Sequence, residues 1–209
     1  MQLYLASSLE TTGNHIANKI RLQGETLKVA FIYTAGEIEK DQAWIDDDRK
    51  GLTAAGVEIF NYTITGKKPA EIGRDLVGFN WIHVNGGNSF YFLFQAQQSG
   101  FDRFICRQVT NGVVYSGSSA GSYLAGPDIA VMQLLDHNPY AKQLKNTRGF
   151  GFVDFLTFPH WGSPIFRDDY FSQRLQLAYT KGHKIILLND DQYVEVIDDN
   201  YKIIDITKD

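Results

Sequence analysis

A chain of 209 residues with 44% hydrophobic content can bury a sizeable core and falls within the range of one large domain, so residues 1–209 are read as a single unit. A formal charge of −4, with acids and bases interspersed, presents no cationic face to a phosphate backbone and argues against a nucleic-acid partner. The single cysteine, Cys106, has no partner for an internal disulfide, and no segment approaches the roughly 18 apolar residues of a membrane span. These features predict a cytoplasmic protein, monomeric or homodimeric, with no membrane association.

The N-terminal "MQLYLASSLE" lacks the basic region and long apolar run of a targeting signal. In chain order, short β-branched or aromatic runs predict strands at 27–34 ("LKVAFIYT"), 57–63 ("VEIFNYT"), 81–85 ("WIHVN"), 113–117 ("VVYSG"), 155–160 ("FLTFPH") and 184–188 ("KIILL"). Helical patterns fill 37–56, 88–100, 101–112 and 166–182, most of them closed by a glycine suited to a helix C-cap. This alternation predicts a layered α/β fold, with a mostly parallel sheet between helices. The tail over 190–206 differs: two alternating runs flank Asp198-Asp199-Asn200 and predict a β-hairpin on the sheet edge. Tyr91 and Phe92 read either as an interface or as helix-core positions.

Ligands of such sheets bind outside the carboxyl ends of the strands. Three stretches lie there: "NGGNS" after 81–85, "SGSSAGS" after 113–117 and "PHWGS" after 155–160. In the second, Ser119 alone has glycine two positions before it and two after it, Gly117 and Gly121. A nucleophile elbow requires small residues there, because the strained turn crowds its neighbouring strand and helix. The bland alternative is an N-capped helix after a small-residue turn. If the elbow is real, the N–H of Ala120, at the start of the following helix, is the natural first donor to an oxyanion.

A serine nucleophile needs a base within hydrogen-bond reach. Of His15, His83, His137, His160 and His183, only His160 ends a predicted strand on the same rim as Ser119. His83 lies inside a strand and reads as a core imidazole, His15 and His183 sit in polar surroundings, and His137 follows Asp136 in a loop. In "VNGGNSF", consecutive glycines allow a close backbone approach, so Gly87 is a candidate second oxyanion donor. Asn88 is a candidate helix cap and substrate-binding residue.

Taken together, "YSGSSAGSYLAGPDI", "VNGGNSFYFL", "GFGFVDFLTFPHWG" and "LLNDDQYVEV" resemble the peptidase E family of serine peptidases, the group that includes aspartyl dipeptidase. The chain is most similar to uncharacterised bacterial members carrying "PHWG". The resemblance implies a flavodoxin-like or glutamine-amidotransferase-like fold, no cofactor and no metal. It also implies Ser119 as nucleophile, His160 as general base, and the N–H groups of Gly87 and Ala120 as oxyanion hole, acting on short peptides such as dipeptides. The family pattern places an acid eleven to fifteen residues after the serine, often a Glu where this chain has Ala130. Asp128 and Asp136 are the candidate substitutes, with Asp154 a further possibility. Arg167 and Arg174 are candidates for binding a substrate carboxylate, as the family's arginine does, or are solvated helix charges.

Three other readings stand beside this one. An α/β-hydrolase esterase shares the Gly-x-Ser-x-Gly pattern, but the chain is short for that fold. A non-catalytic binding or sensor protein would explain Ala130. A glutaminase would need cysteine at the elbow, and Cys106 lies in a predicted helix instead.

Overall fold

The computed structural model describes residues 1–21, 27–132 and 139–208. Seven strands form one sheet in the order β3-β2-β4-β5-β1-β8-β9, where β1 is Gln2–Ala6, β2 Lys28–Ile32, β3 Glu58–Tyr62, β4 Trp81–Val84, β5 Val114–Ser118, β8 Gln192–Ile197 and β9 Asn200–Asp205. The first five in that order run parallel. β8 then pairs antiparallel with β1, and β9 with β8. The predicted hairpin therefore closes one edge, turning at Asp198 with a φ of 53°.

Side chains alternate across this sheet with the two-residue period of a strand. Leu3, Leu5, Ile32, Val84 and Tyr115 face one core, and Tyr4, Phe31, Val29 and Trp81 the other. The helices α1 (Leu9–Arg21) and α2 (Ala43–Thr53) cover the second face through Leu9, Ile16, Ile45 and Leu52. On the first face lie α3 (Pro69–Asp75), α4 (Ser89–Ser99), α5 (Phe101–Thr110) and α6 (Ala120–Leu124). The result is the three-layer, flavodoxin-like and glutamine-amidotransferase-like architecture expected from the sequence. Tyr91 and Phe92 are buried core residues of α4, which settles their reading. The Cys106 thiol, half-buried on α5, faces the Phe150 carbonyl at 3.7 Å, and burial pushes its pKa up.

Three sequence expectations change. The N-terminal "QLYLA", assigned to no element above, is β1 and lies inside the sheet between β5 and β8. The runs at 155–160 and 184–188 do form strands, β6 (Phe155–Phe158) and β7 (Lys184–Leu187), but these pair with each other in a separate two-stranded parallel sheet. The helix predicted over 166–182 is continuous but not regular: α7 (Arg167–Asp169) runs through a π-helical turn at Tyr170–Arg174 into α8 (Leu175–Lys181), capped by Gly182 with a φ of 68°. No helix among the described residues is long and apolar enough to cross a membrane.

Candidate active site

The end of β5 turns directly into α6 through Ser119, whose φ of 46° and ψ of −111° are strained for a residue with a Cβ. Its backbone N–H is held by the carbonyls of Ala6 and Ser7, both at 3.1 Å. The hydroxyl of Ser119 is thereby lifted clear of the sheet. Beside it runs the turn after β4, where Gly87 has a φ of 120° and packs so closely on Ala35 that an added Cβ would lie 2.3 Å from that residue's carbonyl oxygen. Gly86 approaches Ser119 less tightly, an added Cβ lying 3.1 Å from the serine's own. Asn88 caps α4, its side chain accepting from the Tyr91 N–H at 3.0 Å.

His160 follows β6 and takes a φ of 60°. Its Nε2 lies 3.0 Å from the Ser119 hydroxyl, and its Nδ1 lies 2.7 Å from a carboxylate oxygen of Asp190. Phe166 stacks on the imidazole at a centroid distance of 4.8 Å and an angle of 16°. An ionised carboxylate can only accept, so Nδ1 carries the proton and the Nε2 lone pair faces the serine. The hydrogen bond from His160 holds the Asp190 carboxyl below its ordinary range; partial burial opposes this, and a hydrogen bond from Ser7 adds to it. An imidazole so fixed can take a proton from the serine hydroxyl and pass it to a leaving group.

The acid at the histidine is thus Asp190, a residue the sequence reading did not select. Asp128 is occupied elsewhere: one oxygen accepts from the Ala130 N–H at 2.8 Å and the other faces Lys181 at 3.5 Å. Asp154 pairs with Lys184 on the surface, and Asp136 and His137 lie outside the described residues. Asp190 sits just past β7, at the carboxyl end of a strand like Ser119 and Gly87. The position was available to the rule that selected those residues, and "LLNDD" opens one of the four stretches that carry the family resemblance, but it has no glycine turn to mark the strand end as a site.

A cavity of about 560 Å³ opens over Ser119 and His160, with Trp44, Tyr123, Phe166 and Arg174 in its walls. Of the two predicted arginines only Arg174 reaches it. Its side chain is 14% exposed, lies over the Tyr170 ring and pairs with Asp169 at 3.6 Å, whereas Arg167 is 73% exposed and outside the cavity.

Beneath the serine lies a buried polar chain. Trp81 Nε1 donates to the Ser116 hydroxyl at 2.8 Å, which in turn faces His83 Nδ1 at 2.8 Å. Burial depresses the His83 pKa to about 3, so it is a neutral core imidazole, as its place inside a strand predicted. Ser118 connects this chain through Asn85 to Asp48, which also accepts from the backbone N–H groups of Leu9 and Glu10. Burial raises the Asp48 carboxyl to about 7 against those hydrogen bonds.

A serine held beside a histidine and an acid, at the strand ends of an α/β sheet and under an open cavity, belongs to the class of serine-type peptidases. The chain is a member of Peptidase family S51, whose family model matches residues 3–204. It is 30% identical over 181 residues to an uncharacterised peptidase of Listeria innocua, covering 83% of this chain and 85% of that one. A second uncharacterised peptidase, from Pasteurella multocida, is 29% identical and is matched over 96% of this chain and 99% of its own. Among solved structures, a candidate peptidase E protein from Listeria monocytogenes shares the fold with a TM-score of 0.83, 24% identity and 98% of both chains covered. A peptidase from an acI-B1 actinobacterium has a TM-score of 0.70 at 15% identity, over 98% of this chain and 87% of that one.

Proposed function

We propose that this peptidase cleaves short peptides, dipeptides among them, in the cytoplasm through an acyl-enzyme on Ser119. The observation that carries the reading is the continuous relay from the Ser119 hydroxyl through His160 to Asp190, at 3.0 and 2.7 Å. In this scheme His160 Nε2 takes the hydroxyl proton while Ser119 Oγ attacks the scissile carbonyl. The oxyanion that forms is met by the N–H groups of Gly87 and Ala120, on a nucleophile elbow whose flanking glycines admit no side chain. Asp190 keeps the resulting imidazolium oriented, and His160 returns its proton to the departing amine. Water then repeats the sequence on the acyl-enzyme and releases the acid. A cavity of about 560 Å³ suits a short peptide better than a folded chain. The binding-protein alternative drew its support from Ala130, and Asp190 removes that support.

Labelling with a fluorophosphonate probe, read by intact mass, tests the reading. A single adduct on the wild-type protein, absent from Ser119→Ala and His160→Ala, is the expected result. A dipeptide panel that includes aspartyl substrates then reads the substrate preference. A folded wild-type protein that takes no label refutes the proposal.

A further inference from the structure

Ser7 follows β1, is fully buried, and has no role in the chemistry proposed above. It nevertheless touches all three members of the relay. Its carbonyl oxygen accepts the Ser119 N–H at 3.1 Å. Its hydroxyl lies 2.7 Å from the His160 backbone nitrogen and 2.7 Å from Asp190 Oδ1. A backbone N–H can only donate, so the hydroxyl accepts from His160 and its one proton goes to the Asp190 carboxylate. Asp190 Oδ1 therefore takes two donors at once, the Ser7 hydroxyl and His160 Nδ1.

We infer that Ser7 is the positioning residue of this active site, its hydroxyl locking the His160 backbone and the Asp190 carboxylate into one geometry. The inference rests on the reading of Ser119, His160 and Asp190 as the reacting group and its supports. Two physical facts make such a lock necessary. His160 holds a left-handed backbone conformation that a residue with a Cβ keeps only when its surroundings over-determine it, and Ser7 supplies a partner for that residue's own N–H. Asp190 sits on a loop with its side chain 47% exposed, so a single bond to the imidazole would leave the carboxylate free to turn toward water. A second donor on the same oxygen removes that freedom. The same residue passes the Ser119 N–H to the end of β1, so nucleophile, base and acid are all referred to one buried strand end.

The test compares Ser7→Ala, Ser7→Thr and Ser7→Cys with the wild type by two readouts. The first is the fluorophosphonate labelling rate as a function of probe concentration. The second is the proton resonance of His160 Nδ1, which requires no turnover. Loss of a hydrogen bond to a charged group predicts that Ser7→Ala labels ~10–100-fold more slowly, in the limiting rate and not in probe affinity. Its Nδ1 resonance should broaden or move upfield. Ser7→Thr, which keeps the hydroxyl, should recover most of the rate and the resonance, and Ser7→Cys should fall between, so the series remains readable if the threonine methyl prevents folding. A folded Ser7→Ala protein with the wild-type limiting rate and an unmoved resonance overturns the inference. If the wild type itself takes no label, the reading of Ser119 fails, and the resonance alone decides whether Ser7 holds the imidazole.

Discussion

Gly117 and Gly121 meet so closely across the Ser119 turn that a Cβ on Gly117 would lie 2.3 Å from the carbonyl carbon and oxygen of Gly121. A Cβ on Gly121 would lie 1.9 Å from the Val84 carbonyl oxygen on the neighbouring strand. Both obstacles are backbone and cannot rotate away. Gly121→Ala should therefore destabilise the fold by about 3 kcal/mol, at the upper end of ordinary overpacking. Gly73, inside α3, has nothing within 4 Å of an added Cβ, and Gly73→Ala should stabilise by about 1 kcal/mol through helix propensity. Urea unfolding of the two variants reads the difference. Equal stability for Gly121→Ala and the wild type would contradict the packing described.

Asp190→Asn keeps the shape of the acid but no longer favours the protonated Nδ1 of His160. By analogy with serine-histidine-acid sites in general, its labelling rate should fall by about 10⁴ with the fold intact. Asp128→Asn should label at the wild-type rate, because that carboxylate serves the Ala130 N–H and Lys181. Rates measured side by side decide between the two acids. Loss of labelling in the Asp128 variant alone would reverse the assignment.

The contrast between these two acids marks how far the sequence was legible. The sequence singles out Ser119, His160 and Gly87 because strand ends in an α/β sheet gather at one rim, and glycines betray where the backbone must pass closely. Asp190 obeys the same geometry without a glycine, 30 residues beyond His160, and carboxylates are too common for one to stand out. β1 was invisible for a different reason. "QLYLA" is five residues long and becomes a buried strand only because β5 and β8 pair on either side of it, which is tertiary information. Ser7 inherits that invisibility. The pairing of β6 with β7 apart from the main sheet was equally hidden, since runs of apolar residues say that a strand exists and not which strand it joins.

The two arginines separate in the structure and should separate in function. Arg174 lies in the cavity wall with its guanidinium largely buried against Tyr170, while Arg167 is exposed beyond it. If Arg174 meets a substrate carboxylate, Arg174→Ala should raise KM for acidic dipeptides by about tenfold, the worth of one charge-assisted contact. Arg167→Ala should leave KM unchanged. Steady-state kinetics on matched acidic and neutral dipeptides provides the reading, and an equal effect on both substrate types would remove Arg174 from substrate recognition.

Asp48 and His83, linked through Ser118 and Asn85 beneath the active site, oppose each other in the pH dependence of stability. Asp48 is raised by burial from 3.8 to about 7, so the stability it contributes is fully present below pH 3.8 and is lost as pH rises through 7. His83 is lowered by burial from 6.5 to about 3, so its contribution is present above pH 6.5 and is lost as pH falls toward 3. Between pH 4 and 6.5 unfolding releases a proton from one group and takes one up on the other, and the two slopes cancel. Removing either partner exposes the other. Asp48→Asn should grow more stable with rising pH across that window relative to the wild type, by at most about 1.4 kcal/mol per pH unit, and His83→Gln should show the reverse slope. Remaining titrating groups act alike in all three proteins, so the differences between urea unfolding curves at pH 4.5, 5.5 and 6.5 isolate the pair. Parallel pH profiles for the three proteins would mean that neither group is held in the protonation state its burial dictates.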